Sequence, residues 1–377
     1  MSKIIAIGFF ANSKTQLNAL KDVDWCDTYF VPTDQKRLGI PGTVDGVKKL
    51  NINFGSYNAA ITWGDGLSPA QKYFYEQCFE NEIPVISNQH GFNKSIFQIV
   101  KNSPNPYCKY WNSMGMYMLD RFKDVVGKEA ISRRWISEGS LLHDYLHNKY
   151  KWRKDTNNGK AMVIHEPDLK MCEGDPHPHA SDSAMDLIIK TLNDCGIDAD
   201  LKVHPNWKNF IGNAGELLRR PQKINIVDID VEKVVDYALV IGSRSSLLLD
   251  AVAMGVPTVA LKSKSSWKDD KYAPTEEGLI PVYSTIDLKE GIIEHFNNEP
   301  SYDVILRDYY LGPLGKVRDN YRRFILYDLE NPRGTLGTYF NEWQRELKMY
   351  GTLHGRIIRK LKNILEYDIK KFRFRSN

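Results

Sequence analysis

Between Lys3 and Leu261, short apolar and β-branched runs alternate with amphipathic stretches, and this alternation constrains the fold more than any other feature of the chain. It is the pattern of parallel sheets wound by βαβ units. In the first half, the runs at 3–8, 28–31, 59–63, 84–87 and 134–137 are the predicted strands. Ser68-Pro69, a cap residue followed by proline in the first turn, opens the clearest helix, which runs to Glu80. A polar, aperiodic stretch at 149–160 then reads as an interdomain linker. Beyond it come strands at 161–165, 200–204, 224–227, 238–241 and 258–261. Between them lie helices at 182–195, closed by Gly196, and at 245–254, closed by Gly255, with a shorter one opening at Asp230.

A chain of 377 residues is long enough for two cores, and 42% hydrophobic residues suffice to fill both. The expected division is an N-terminal unit at 1–150, a second α/β unit at 151–300, a helical closing segment at 301–353 and a tail at 354–377. Formal charge is +4, yet 355–377 holds eight Arg or Lys against Glu366 and Asp368, a net of +6 that leaves −2 for everything before it. An anionic macromolecule is therefore expected to meet the tail rather than the body. No apolar run approaches the roughly 18 residues that cross a bilayer, and Met1 to Gly8 reads as a first strand rather than a signal peptide, so a cytoplasmic setting is expected. The five cysteines are scattered, with no CxxC pair, which suggests neither a disulfide framework nor a zinc site.

The most informative segment is 236–261, DYALVIGSRSSLLLDAVAMGVPTVAL. A buried strand runs into Ser243-Arg244-Ser245-Ser246 and a helix begins at once, so backbone N–H groups, hydroxyls and a positive helix end converge on one spot. Arg244 adds a guanidinium suited to a pyrophosphate. The same serines would also cap a helix that binds nothing. The order of strand, serine-rich turn, helix with an acidic residue and "G-x-P" resembles the nucleotide-binding segment of GT-B glycosyltransferases, with Asp250 at the acidic position and Gly255-Val256-Pro257 as the "G-x-P". The resemblance implies a fold of two Rossmann-like domains with a cleft between them. It also implies that Asp250, one methylene shorter than the Glu of many relatives, holds the ribose hydroxyls of a nucleotide donor.

Three further elements fit that resemblance. Lys202-Val203-His204-Pro205 is similar to the "K-x-H-P" of teichoic-acid glycerophosphotransferases and capsule glycosyltransferases, where the histidine contacts the donor pyrophosphate; a purely structural His204 is the competing reading. Asn88-Gln89-His90-Gly91 carries a "HG" like that of the same enzymes, and an imidazole titrating near neutrality can take the proton of an attacking hydroxyl. Asp65, in Trp63-Gly64-Asp65-Gly66, is the reserve candidate for that base, and a loop histidine satisfied by carbonyls is the alternative for His90. Glu138-Gly139-Ser140 with Asp144 resembles the "G-[SN]-x-x-x-D" at the crossover between GT-B domains.

The loop 165–179 gathers three histidines, four acidic residues and Cys172, but without tetrahedral ligand spacing, so a loop beside the donor is expected rather than a metal. No GxGxxG follows the first strand and no P-loop occurs. The expectation is a metal-independent transferase with no cofactor. It would move a group from a nucleotide-activated sugar or polyol to a glycan acceptor, with Lys202, His204, Ser243, Arg244, Ser245, Ser246 and Asp250 on the donor and His90 or Asp65 as base. Three rivals stand beside it: a sugar-nucleotide 2-epimerase, a glycosyltransferase acting on DNA bases, for which nucleic acid is the acceptor, and a non-catalytic nucleotide-binding module, disfavoured because both halves bring polar groups to the cleft. In the tail, Ile357, Ile358, Leu361, Ile364, Leu365, Ile369 and Phe372 recur at helical spacing among basic residues. This basic amphipathic helix would pack on the protein, lie on the inner face of an anionic membrane as a peripheral anchor, or bind nucleic acid.

Overall fold

A computed structural model describes residues 3–10, 13–31, 42–63, 68–89, 108–120, 135–151, 158–164, 180–202, 224–243, 245–261, 274–275, 278–284 and 286–330. The first unit runs β1 (Ile4–Gly8), α1 (Ser13–Leu17), β2 (Cys26–Phe30), α2 (Val44–Lys49), β3 (Ala59–Trp63), α3 (Pro69–Glu80), β4 (Val85–Asn88), β5 (Tyr110–Asn112) and β6 (Trp135–Ile136). Its six strands are all parallel, in the order β2-β1-β3-β4-β5-β6. Helix α4 (Leu141–Tyr150) then leads to β7 (Ala161–Ile164), α5 (Ala180–Asp194), β8 (Ala199–Lys202), β9 (Asn225–Val227), a 3-10 turn (Val231–Asp236), β10 (Leu239–Gly242), α6 (Leu247–Met254), β11 (Thr258–Leu261) and β12 (Val282–Tyr283). These strands form a second parallel sheet, ordered β12-β11-β10-β7-β8-β9. Helices α7 (Leu288–Asn297), α8 (Val304–Leu311) and α9 (Val317–Glu330) follow.

The local sequence explains these elements. β1 and β3 are buried along their whole length, as strands covered by helices on both faces must be. α3 starts where it does because Ser68 and Gln71 form a reciprocal capping box: the Gln71 N–H donates to Ser68 Oγ at 3.2 Å and the Ser68 N–H to Gln71 Oε1 at 3.1 Å. α6 is apolar at every position but Asp250 because it is enclosed, touching the second sheet, α4 and α8, and it ends at Gly255, whose φ of 75° is the left-handed cap.

The two sheets are joined into one body. Trp111, Met114 and Tyr117, which follow or belong to β5, share an apolar cluster with Met162, Val240 and Leu248 of the second unit and with Tyr310 of α8. The chain crosses between the units twice, and both crossings pass through one point. Gly139 (φ 98°) and Gly312 (φ 85°) lie against each other so closely that a methyl on either would meet the other's backbone, and the Ser140 N–H donates to Leu311 O at 2.9 Å. After the second crossing, α9 packs on the first unit: Val317, Tyr321 and Ile325 enter its core, and the Lys109 ammonium lies 2.6 Å from the Asp328 carboxylate with both side chains almost sealed from solvent. The Tyr110 hydroxyl also donates to Asp328.

The predicted strands lie within two residues of the observed ones, and α3 and the close of α6 stand where the sequence places them. Several observed elements have no counterpart in the sequence reading, β5 and β12 among the strands and α1, α2, α4 and α7 among the helices. β5 was not predicted, because its neighbour Lys109 interrupts the apolar pattern and is buried only through an aspartate on α9. The stretch read as linker from 149 lies partly inside α4, which runs to Tyr150. The tail at 354–377 lies outside the described residues.

Candidate functional site

In both sheets the strand order reverses at an internal pair, β1 and β3 in the first and β7 and β10 in the second. Outside the carboxyl ends of such strands the two connecting loops diverge and leave a crevice, the usual ligand position of doubly wound sheets. The serine-rich turn follows β10 directly, so Ser243 to Ser246 occupy the switch point of the second sheet.

Ser243 is buried, Ser245 half-buried and Ser246 exposed. Plain capping accounts for only part of this turn. Ser245 Oγ accepts the Leu247 N–H at 3.3 Å, and the N–H groups of Leu248 and Leu249 turn back to Ser245 O and Ser246 O at 3.1 and 3.0 Å. Ser246, at the N-cap, makes no side-chain cap bond, and the main-chain N–H groups of Ser245 and Ser246 have no partner among the described residues. Two open donors and a hydroxyl at the positive end of α6 suit an anion. Asp250 lies in the first turn of the same helix, 2.9 Å from His143 Nε2 on α4. Lys202, at the end of β8, donates to Ile229 O at 2.9 Å. Arg244, His204, His90 and Asp65 lie outside the described residues, as does the loop 165–179.

On the first unit, the carboxyl ends of β4 and β5 carry a buried amide network. Asn88 Nδ2 donates to Thr62 O at 3.2 Å, while Asn112 Nδ2 lies 2.9 Å from both Asn88 Oδ1 and Gly139 O. Asn112 Oδ1 accepts the Glu138 N–H at 2.9 Å, and the Tyr321 hydroxyl donates to Asn88 Oδ1 at 3.2 Å. Gln89 is fixed in turn, its Oε1 accepting the Met114 N–H at 3.1 Å. The network ties the strand that leads into His90 to the crossover at Glu138 and Gly139. Trp63, Gln89, Asn112 and Ser140 line a small polar cleft beside it.

Asp144, the acidic position of the crossover motif, has a structural role that spacing alone could not reveal. Its carboxylate accepts N–H groups from Gly315 at 2.5 Å and from Val317 and Arg318 at 3.3 Å, capping the start of α9. Burial nevertheless pushes its carboxyl above the ordinary aspartate value. α4 is also anchored to the second unit. Glu232 accepts from Lys149 at 2.6 Å, Tyr150 at 2.7 Å and Tyr145 at 3.0 Å; burial opposes ionisation there, but these donors outweigh it and hold the carboxyl below its usual value. His147 Nδ1 is 3.1 Å from Ala253 O, and burial lowers its imidazole pKa.

Two doubly wound parallel sheets, switch points on both and, as the last of the described helices, one that returns to the first sheet define the GT-B fold. Solved structures agree. The UDP-GlcNAc 2-epimerase of Methanocaldococcus jannaschii, in complex with UDP-GlcNAc and UDP, is similar with a TM-score of 0.54 at 12% identity, over 87% of this chain and 100% of that one. MnaA of S. aureus with UDP gives 0.52 at 13%, over 89% and 99%. The wall teichoic acid polymerase TagF, soaked with CDPG, gives 0.50 at 13%, over 87% and 89%. No family model matches the chain. One curated protein, GRASP65 homolog protein 1 of Saccharomyces cerevisiae, is 26% identical over 109 residues, which is 26% of this chain and 28% of that protein, so the match spans less than a third of its length.

Proposed function

We propose that the chain is a group transferase that moves a sugar or a polyol phosphate from a nucleotide-activated donor to an acceptor hydroxyl, without a metal. The observation that carries this reading is the serine-rich turn at the switch point of the second sheet, where open N–H groups and the N-terminus of α6 favour a phosphate. The donor diphosphate would lie against Ser243 to Ser246 with Arg244 and His204, Lys202 adding charge nearby. As the acceptor hydroxyl attacks, His90 would take its proton while the helix end and Arg244 stabilise the leaving phosphate. A glycan acceptor is part of the same reading, on the likeness of the "K-x-H-P" and "HG" motifs to those of wall-polymer enzymes.

A second reading, sugar-nucleotide 2-epimerisation, has specific support, since two of the similar structures hold UDP and one of those is a UDP-GlcNAc 2-epimerase. Incubation with UDP-GlcNAc and no acceptor separates the two, because only an epimerase turns the donor over to its 2-epimer.

The test of the donor site is a thermal-shift and calorimetric screen against UDP, CDP, GDP and CMP. A nucleotide at 100 times its dissociation constant should stabilise the protein by about 2.7 kcal/mol. His204→Ala and Ser245→Ala should each weaken binding by about 1.5 to 3 kcal/mol. His90→Ala should bind the nucleotide as before and lose turnover; if turnover survives in His90→Ala and falls in Asp65→Asn, the base is Asp65.

A further inference from the structure

Asp250 sits one turn into the helix that the serine-rich turn opens, yet its partner comes from the interdomain crossover. Its Oδ1 lies 2.9 Å from His143 Nε2; the imidazole side chain is only 4% exposed and the carboxylate 14%. On its other side His143 Nδ1 is 2.6 Å from Ser140 Oγ, and that oxygen also accepts the main-chain N–H of His143 at 3.4 Å. A hydroxyl that already accepts has its own proton left to give. Where Ser140 gives that proton to Nδ1, Nε2 is the ring nitrogen that carries hydrogen on the side of the carboxylate. The approach is short but off the N–H direction, for Nε2 has no aligned hydrogen-bond partner despite its burial.

We infer that His143 is a positioning residue that holds the Asp250 carboxylate for the ribose of the nucleotide, so that discrimination between ribo- and deoxyribonucleotides depends on the crossover helix as well as the donor half. The inference rests on the donor-site reading above. A helical aspartate rotates freely about its Cα–Cβ bond unless something holds it, and a held acceptor loses less entropy when a ligand arrives. With Oδ1 against His143, Oδ2 has no partner among the described residues and is the oxygen left for a ligand. A carboxylate repels a phosphate and accepts from hydroxyls. Asp250 stands one helical turn, about 6 Å of rise, beyond Ser246, a separation that a nucleotide bridges between its 5′-diphosphate and its ribose hydroxyls.

The test compares UDP, CDP and GDP with their 2′-deoxy and 3′-deoxy counterparts by calorimetry, on the full chain and its variants. The full chain should prefer a ribonucleotide to at least one deoxy counterpart by on the order of tenfold, the worth of one charge-assisted hydrogen bond. His143→Leu, which fills the space without a donor, should lose most of that preference because ribonucleotide affinity falls while deoxynucleotide affinity stays. His143→Gln, whose amide nitrogen reaches where Nε2 stands, should restore it. Retained preference in a folded His143→Leu protein overturns the inference and leaves the donor site standing. An equal fall for ribo- and deoxynucleotides, unrescued by His143→Gln, makes His143 merely structural and overturns it as well. If His143→Leu does not fold, His143→Gln set against Ser140→Ala decides: loss of the preference in Ser140→Ala alone supports the inference, and equal behaviour of the two overturns it. Failure of the full chain to bind UDP, CDP or GDP removes the donor site itself, and the inference with it.

Discussion

Replacing Asp328 by alanine should destabilise the protein through a residue far from it in sequence. Its carboxylate is the counter-charge of Lys109 at 2.6 Å, and both side chains are nearly sealed, at 6% and 4% exposure. The substitution leaves an ammonium and the Tyr110 hydroxyl without their common acceptor in the core of the first unit. Breaking one side of such a pair costs about 3 to 5 kcal/mol, because the remaining charge is uncompensated. Against a total stability of about 5 to 15 kcal/mol that is a large share. The double variant Asp328→Ala/Lys109→Met removes both charges and keeps an apolar stem, so it should recover most of the loss. Urea unfolding followed by the fluorescence of the eight tryptophans reads the three proteins directly. A cost below about 1 kcal/mol for Asp328→Ala, or a double variant no more stable than the single, would refute the argument that this pair fixes α9 on the first unit.

Gly312→Ala should cost at least about 2 kcal/mol, because the position has a φ of 85° and the methyl would overlap Gly139; unchanged urea midpoints would refute the close crossing. Asp200 accepts from Tyr237 at 2.9 Å and Asn225 at 3.0 Å, and although burial opposes ionisation these bonds hold its carboxyl below the ordinary value. Its contribution is therefore complete above the unfolded pKa of about 4 and lost as the pH falls through the lower folded value. Tyr237→Phe should flatten the acid limb of a stability-versus-pH curve, and an unaltered limb would count against it. The full chain should sediment with anionic vesicles at low salt and a truncation after Tyr350 should not, with nucleotide binding intact. Salt-sensitive binding to duplex DNA without vesicle binding would point instead to a nucleic-acid acceptor.

What the sequence makes legible follows from how local each cause is. β3 and α3 are readable because a β-branched run and the Ser68/Gln71 box contain their own reasons. α4 is not, because the polar side chains that would mark its outer face are the buried ones: His143 and Asp144 point to partners on α6 and at the start of α9. β5 fails for the same reason, since Lys109 becomes a core residue only through Asp328. At the site, Asp250 and the serine-rich turn stand out in one short segment, whereas the Ser140–His143 pair that faces Asp250 lies on another part of the chain and carries no motif of its own beyond Ser140.

The contact of Gly139 with Gly312 makes the second sheet, topologically, an insertion into the first unit. The chain leaves that unit and re-enters it at neighbouring points, with Ser140 hydrogen-bonded to Leu311 across the seam. An insertion whose ends meet can be exchanged without rethreading its host. Grafting the corresponding segment of another GT-B-fold protein between Gly139 and Gly312 would exchange the second unit while leaving β1 to β6 and α9 to fold on their own seam, provided the incoming helix keeps an acidic residue to cap α9 as Asp144 does.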